Sequence, residues 1–281
     1  MAKRRRRRRK LRNPILLVIT LAILIFAAVV LSLSIRQREI EELERTPVES
    51  PLVSHSYDWS KLKWNGSFVT YDDGEYTSMQ GIDVSQHQEA IDWKKVADEG
   101  VEFAMIRVGY RGYQYGLIHE DEYFEANMQG AKANGLQVGV YFYSQAITVE
   151  EAWEEADFLI QKIKKYEIDL PVVFDMEESD TGENGRILSL SRSQKTEIAA
   201  AFLHRIRNAG YQPMIYNSSL LFAELFDIEY LQEFDTWVAD YSSAPRYPYT
   251  FSIWQYTSDG TVDGIDGRTD MNIMFIKKDG E

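Results

Sequence analysis

Two acids at the end of an apolar run are the residues best suited to chemistry. Residues 170–174 read Leu-Pro-Val-Val-Phe, and Asp175 and Glu177 follow with Met176 between them. Because alternate side chains of a strand share a face, both acids should point to the same side. Like charges in a partly desolvated site raise one pKa, so one carboxyl stays protonated near neutral pH. Such a pair can cleave glycosidic bonds. The alternative interpretation is that the two acids lie at a solvated strand end by chance and have no function.

Other acids and aromatic residues fall at the ends of other predicted strands. Asp83 ends the first strand, and Asp270 precedes the last. Aromatic faces can stack on sugar rings, although a buried aromatic residue is more often part of a core. The predicted substrate-binding residues at these positions are Arg107, Tyr110, Tyr143, Tyr216, Trp237, Asp240, Tyr241, Trp254 and Gln255. His87 is close by, but a structural role is favoured for it over that of a base.

The sequence favours a site with no metal and no cofactor. There is no cysteine, and the four histidines do not pair at metal-ligand spacing. Residues 259–264, followed by Asp270, resemble a calcium-binding loop, because their glycine falls at the position that such a loop requires. The final Glu of such a loop is Asp here, and no flanking helices are evident. A glycine-rich hairpin between two strands is therefore favoured.

Strands and helices alternate from residue 81 onward. Several strands are continuous apolar runs, which are typical of parallel strands buried on both faces. The eight predicted strands cover residues 82–85, 103–110, 137–144, 171–177, 212–218, 236–241, 251–257 and 271–275. Predicted helices fill the first five gaps, with Asp92 as one cap and a capping box at Thr148. The pattern predicts an α/β fold, a TIM-like β/α barrel of eight strands and about five helices, whose site lies at the C-terminal strand ends.

The N-terminal region predicts a membrane anchor. Residues 14–35 are apolar except for three hydroxyl residues, and a basic tail, 1–13, precedes them. This run can span about 30 Å of hydrocarbon and exceeds the core of a cleavable signal peptide. Basic segments stay cytoplasmic. The sequence therefore predicts a single-pass protein of the cell membrane that contacts lipid through this helix, with its N-terminus cytoplasmic and its domain outside.

The rest of the chain divides into a linker and one large domain. Residues 36–77 are predicted as a stalk and N-terminal arm, whose aromatic-rich part from residue 57 forms either a small hairpin or an extended arm. Residues 78–281 form the predicted catalytic domain. Nine of the 31 basic residues precede residue 13, which leaves 22 against 44 acidic residues. Nucleic-acid binding by this acidic part is excluded, because phosphate would repel it.

An ordered set of motifs runs through residues 78–276. They are Gly-Ile-Asp-Val-Ser-Gln-His at 81–87, Asp-Trp at 92–93, Phe-Ala-Met-Ile-Arg at 103–107, Gly-Val-Tyr-Phe-Tyr-Ser at 139–144, Asp-Met-Glu at 175–177, Gly-Tyr-Gln-Pro-Met-Ile-Tyr at 210–216, Trp-Val-Ala-Asp-Tyr at 237–241, Trp-Gln-Tyr at 254–256 and Thr-Asp-Met-Asn at 269–272. This series resembles glycoside hydrolase family 25, the N-acetylmuramidases or Chalaropsis-type lysozymes. The resemblance implies an eight-stranded β/α barrel with fewer helices than strands.

The resemblance also implies a reaction and residue roles. It implies cleavage of the β-1,4 bond between N-acetylmuramic acid and N-acetylglucosamine in peptidoglycan. Glu177 would be the general acid, kept protonated by burial and by Asp175, which would stabilise positive charge on the sugar. Asp83 and Asp270 would bind substrate or position water. The segment 180–190 would reshape the groove edge.

Two alternatives remain at this point. A catalytically silent peptidoglycan-binding module could tether membrane to wall, but such a module has no need of the four acids. A chitinase-like barrel would need Asp at positions 170 and 173, where this chain has Leu170 and Val173.

Overall fold

The computed structural model describes residues 14–43, 51–178 and 185–278. The chain divides into two compact units, Met1–Thr46 and Pro47–Glu281. The described part of the first unit is one helix, α1 (Pro14–Leu43). Within the described ranges, no helix combines the length and apolar character needed to cross a membrane. The basic tail 1–13, stalk residues 44–50 and residues 180–184 of the predicted groove-edge segment lie outside the described residues.

The second unit is built around a closed barrel. Its strands are β1 (Leu62–Asn65), β2 (Phe68–Tyr71), β3 (Tyr76–Val84), β4 (Phe103–Arg111), β5 (Ile118–Glu120), β6 (Gln137–Tyr143), β7 (Val172–Asp175), β8 (Pro213–Ser218), β9 (Asp235–Ala239), β10 (Ile253–Gly260) and β11 (Thr269–Lys277). Around the barrel the order is β3, β11, β10, β9, β8, β7, β6, β4, and β4 pairs with β3 to close it. The eight-stranded barrel is therefore confirmed. The short edge strand β5 pairs with β4 and was not predicted.

Helices form in all five predicted gaps. They are α2 (Trp93–Asp98), α3 (Phe124–Ala133), α4 (Val149–Ile163), α5 (Arg192–Asn208), α6 (Phe222–Leu225) and α7 (Ile228–Leu231). The side chains of Asp92 and Thr148 accept hydrogen bonds from the main chain of the first turns of α2 and α4. The weak helix predicted over 220–234 is two short helices, α6 and α7.

The last strand runs opposite to the other barrel strands. β11 is antiparallel to β10 and to β3, because the eight residues between β10 and β11 are too few for a helical crossover. The glycine-rich hairpin is thus confirmed, and the carboxylate of Asp259 in it pairs with Arg268 at 2.8 Å. Since β11 starts where the parallel strands end, Asp270 lies opposite Asp83 in the ladder.

The aromatic-rich arm is a hairpin packed on the barrel. β1 and β2 pair antiparallel. The Tyr57 ring stacks on Phe275 with centroids 4.2 Å apart, and its hydroxyl donates to the carbonyl of Phe251 at 2.7 Å. The amide of Thr250 donates to the carbonyl of Val53 at 2.9 Å. Phe275 lies near the end of β11, away from Asp270, so the arm covers the end of the barrel opposite the acids.

Candidate active site

The four predicted acids meet in one cleft at the mouth of the barrel. The cleft has a volume of about 320 Å³ and is lined by Asp83, Asp175, Glu177 and Asp270. Its other walls are Ser85, His87, Gln88, Arg107, Tyr141, Tyr143, Tyr216, Trp237, Tyr241 and Gln255. Six of the nine predicted substrate-binding residues are among them.

Asp175 and Glu177 form an interacting pair at the end of β7. Asp175 ends β7 and is 5% exposed, whereas Glu177 lies beyond the strand and is half-buried. The two carboxyls interact closely, and the repulsion between their charges favours the state in which one of them carries a proton. Burial first, then the charges of Glu177 and Asp83, raise the pKa of Asp175 well above its usual range, against the opposing effect of Arg107. Asp175 is the more deeply buried of the two, because the chain leaves the sheet after Asp175.

The main chain of this pair is fixed from both sides. The amide of Ser144 donates to the carbonyl of Asp175 at 2.7 Å. The side chain of Gln145 donates to the carbonyl of Glu177 at 3.1 Å, and that of Asn217 donates to the carbonyl of Met176 at 2.8 Å. Residues 175–177 are therefore held by the segments that follow β6 and by β8, which suits a group that must act at a set position.

Asp83 and Asp270 face the pair from the other side of the mouth. Oδ2 of Asp83 accepts hydrogen bonds from Gln255 and Asn272, both at 2.8 Å. Burial raises the pKa of Asp83 to about 6, although these two bonds oppose the rise. Burial, followed by the charges of Asp83 and Glu177, raises the pKa of Asp270 to about 8. Burial, and for Asp175 and Asp270 also the charges of neighbouring carboxyls, therefore raises the pKa of three of the four acids above the usual carboxyl range.

Two tyrosine hydroxyls and an indole orient the side-chain amides that donate to Asp83. The hydroxyls of Tyr216 and Tyr241 donate to Oε1 of Gln255 at 3.1 and 2.8 Å. The indole of Trp237 donates to Oδ1 of Asn272 at 2.9 Å. Each amide is thus turned so that its nitrogen points at the carboxylate. Asn272, two residues after Asp270 on the same strand face, is a supporting residue that the site prediction left out.

Arg107 supplies positive charge beside the acids. Its Nε pairs with Oδ2 of Asp121 at 2.8 Å, and that oxygen also accepts from the amide of Gln86 at 2.9 Å. The guanidinium is therefore fixed and stabilises negative charge at Asp175. Tyr141 was also left out of the prediction, although it lies two residues before Tyr143 and so on the same face of β6.

Three predicted substrate-binding residues do not line the cleft. Trp254 is fully buried and donates to the carbonyl of Asp240 at 2.7 Å, because it points away from its neighbour Gln255. The carboxylate of Asp240 is occupied by hydrogen bonds from Arg246, Ser219 and Ser242. Burial alone would raise the pKa of Asp240, but these bonds hold that pKa well below its usual range. The ring of Tyr110 stacks on the ring of His119, with the two centroids 5.2 Å apart.

Within the described part of the chain, no group of three or more His, Asp or Glu side chains has the arrangement of a metal site.

Known proteins resemble this chain in both sequence and fold. The model of the family described as Glycosyl hydrolases family 25 matches residues 82–265. YegX of Escherichia coli K12 is 31% identical over 231 residues, which cover 78% of this chain and 76% of YegX. The structure of a bacterial lysozyme from Streptomyces coelicolor is 27% identical and covers 69% of this chain and 90% of its own, with a TM-score of 0.57.

A further solved structure is that of the modular autolysin LytC from Streptococcus pneumoniae in complex with a synthetic peptidoglycan ligand. It is 28% identical and covers 71% of this chain with a TM-score of 0.59. The chain spans about half the length of LytC, 47%. The family predicted from the ordered motifs is confirmed: this chain belongs to glycosyl hydrolase family 25 and is a glycoside hydrolase.

Proposed function

We propose that this enzyme is a lysozyme that hydrolyses the β-1,4 bond between N-acetylmuramic acid and N-acetylglucosamine in peptidoglycan. The observation that carries the proposal is the Asp175–Glu177 pair, which lines an open cleft at the barrel mouth together with Asp83 and Asp270. The family match supports it, as do the neighbours named as a lysozyme and as an autolysin with a peptidoglycan ligand.

In the proposed reaction, Glu177 is the general acid. It is the more exposed member of the pair, so it can reach the glycosidic oxygen while Asp175 lies beneath the sugar. In the reacting state the one proton of the pair lies on Glu177, which gives it to that oxygen as the bond from C1 breaks, while ionised Asp175 faces the positive charge that develops on the sugar. A water then adds at C1 and returns a proton to the Glu177 carboxylate.

Asp175 would stabilise the positive charge by orienting the 2-acetamido group of the substrate. Its Oδ1 is buried, and among the described residues it has no hydrogen-bond partner. A buried acceptor without a partner costs free energy, which a substrate N–H would relieve. An acetamido group held in this way has its carbonyl oxygen close to C1. That oxygen bonds to C1 as the leaving oxygen departs, and the water that adds at C1 then displaces it and restores the acetamido group. Asp83 and Asp270 would bind substrate hydroxyls or position the water.

Substitution of Glu177 by glutamine tests the assignment, with the next residue as a matched control. Glu178 pairs with Lys195 at 2.5 Å and does not line the cleft. Glu177→Gln should lower kcat at least about 100-fold while the protein stays folded, and Glu178→Gln should remain near wild type. Near wild-type turnover by Glu177→Gln would refute the assignment. If the wild-type protein binds peptidoglycan but releases no product, the silent binding module is the better account.

We also propose that residues 14–35 hold the enzyme in the cell membrane with its domain outside. The support is the apolar run itself and the nine basic residues before it. This proposal rests on the sequence alone: about 20 apolar residues are the usual length of a membrane-spanning segment, and a basic tail beside such a segment stays cytoplasmic.

A further inference from the structure

Two tyrosines form an aromatic corner beside the catalytic pair. Tyr143 lies next to Asp175 in the β6–β7 ladder and lines the cleft. Tyr113, in the loop between β4 and β5, hydrogen-bonds to it through the hydroxyls at 2.5 Å, and the two ring planes meet at 66° with centroids 6.1 Å apart. Tyr113 is 38% exposed. The corner therefore continues the wall of the cleft outward from Asp175.

The loop that carries Tyr113 is held firmly. Within it, the amide of Gly112 donates to the carbonyl of Leu117 at 2.9 Å. Buried Arg111 donates to the carbonyl of Gly116 at 2.7 Å and pairs with buried Glu155 at 2.6 Å. An aromatic ring on a loop fixed by a buried ion pair loses little conformational freedom when a ligand stacks on it. Such a ring contributes more to binding than one on a loose loop.

The corner lies across the barrel mouth from another exposed tyrosine. Tyr241 follows β9, lines the cleft and is 56% exposed. In the closed strand order, β4 and β9 are four strands apart in both directions. Tyr113 and Tyr241 therefore stand on opposite sides of the acids. A chain of sugars that crosses the acids between them reaches the corner beyond the ring that reacts.

We propose that Tyr113 and Tyr143 form a subsite for an N-acetylhexosamine ring of the glycan strand, at least one ring away from the bond that is cleaved. The C–H face of such a sugar stacks on an aromatic ring, and the tyrosine hydroxyls can bond to its polar groups. The inference rests on the proposed function for its ligand and adds a binding residue, Tyr113, that the reaction itself does not require.

Glycan binding to the full chain tests the subsite separately from cleavage. We would measure the affinity of peptide-free peptidoglycan strands of one and of three disaccharide repeats for Glu177→Gln, with and without Tyr113→Ala. Tyr113→Ala should weaken binding of the longer strand about tenfold, the scale of one aromatic stacking contact, and change binding of the single disaccharide less than about twofold. Tyr113→Phe, which keeps the ring, should stay within about threefold for both.

Tyr230→Ala is the matched control, since Tyr230 is 52% exposed on α7 and does not line the cleft. It should leave both affinities unchanged. The subsite is overturned if Tyr113→Ala leaves binding of the longer strand unchanged, if it weakens both strands equally, or if the longer strand does not bind Glu177→Gln at all. Cleavage of the same strands by the wild-type chain is scored independently, so length-dependent binding without products would contradict only the proposed reaction.

Discussion

Replacement of Asp270 by asparagine should stabilise the folded domain at neutral pH. Burial and the charges of Asp83 and Glu177 raise the pKa of Asp270 to about 8 from a usual value of 3.8. A carboxyl with a raised pKa in the folded state costs no stability below pH 3.8. The cost then grows as the pH rises, because the unfolded chain ionises first, and it is complete once the pH passes about 8. Asparagine has a similar size and carries no charge, so it removes this cost.

The expected gain follows from the size of the shift. At pH 7 the unfolded chain gains about 4 kcal/mol from ionising a carboxyl that the folded chain keeps protonated, at about 1.4 kcal/mol for each pH unit above 3.8. Asp270 is half-buried and shares its proton balance with its neighbours. We therefore expect about 2 kcal/mol, which raises Tm by roughly 4–8 °C for a domain of this size.

Thermal unfolding between pH 3.5 and pH 8.5 measures this effect. The difference in Tm between Asp270→Asn and wild type should be large at pH 7–8 and vanish near pH 3.5. Asp266→Asn, an exposed acid on the same hairpin, is the matched control and should shift Tm little at any pH. An unchanged or lower Tm for Asp270→Asn at pH 7–8, or a gain that grows as the pH falls, would refute the reasoning.

Three further predictions concern the arm, the ionic conditions and the anchor. Tyr57→Ala should lower the free energy of unfolding by about 3 kcal/mol in urea titrations and leave kcat near wild type, because its ring packs on Phe275 away from the acids; a large loss of kcat in the folded variant would argue against this. Activity on whole walls should rise from very low to moderate salt, with sodium and magnesium equally effective at matched ionic strength, because an acidic domain and an acidic wall repel each other. EDTA should change little, and rescue by calcium alone would point to residues 259–270. Protease added to intact protoplasts should remove the domain and leave a small basic N-terminal fragment, whereas full-length soluble protein in the medium would contradict the anchor.

The barrel and the acidic cluster could be predicted from the sequence because both depend on the order of strands and helices along the chain. Parallel apolar strands separated by helices bring their C-terminal ends to one rim, so Asp83 and Asp175 could be placed together from their positions alone. Asp270 joins them because a hairpin reverses β11, and the glycines between the last two strands predicted that hairpin. These features survive an error of one or two residues in an element boundary.

Other features depended on a single residue of register or on contacts between distant segments. Trp254 and Gln255 point to opposite faces of β10, and sequence pattern alone assigned both to the site. Asp175 is more buried than Glu177 because β7 ends two residues earlier than expected. Tyr113 lies in a loop, and only its contact with Tyr143 relates it to the cleft.

The identity of the sugar at the reducing ends that cleavage creates in the glycan tests the central claim most directly. Purified peptidoglycan would be digested with the enzyme, reduced with borohydride and analysed by mass spectrometry, with Glu177→Gln as the inactive control. The account predicts products whose reduced ends are N-acetylmuramic acid, formed by the wild-type enzyme and reduced at least about 100-fold in the variant. Reduced ends that are N-acetylglucosamine, or equal product from both proteins, would contradict it.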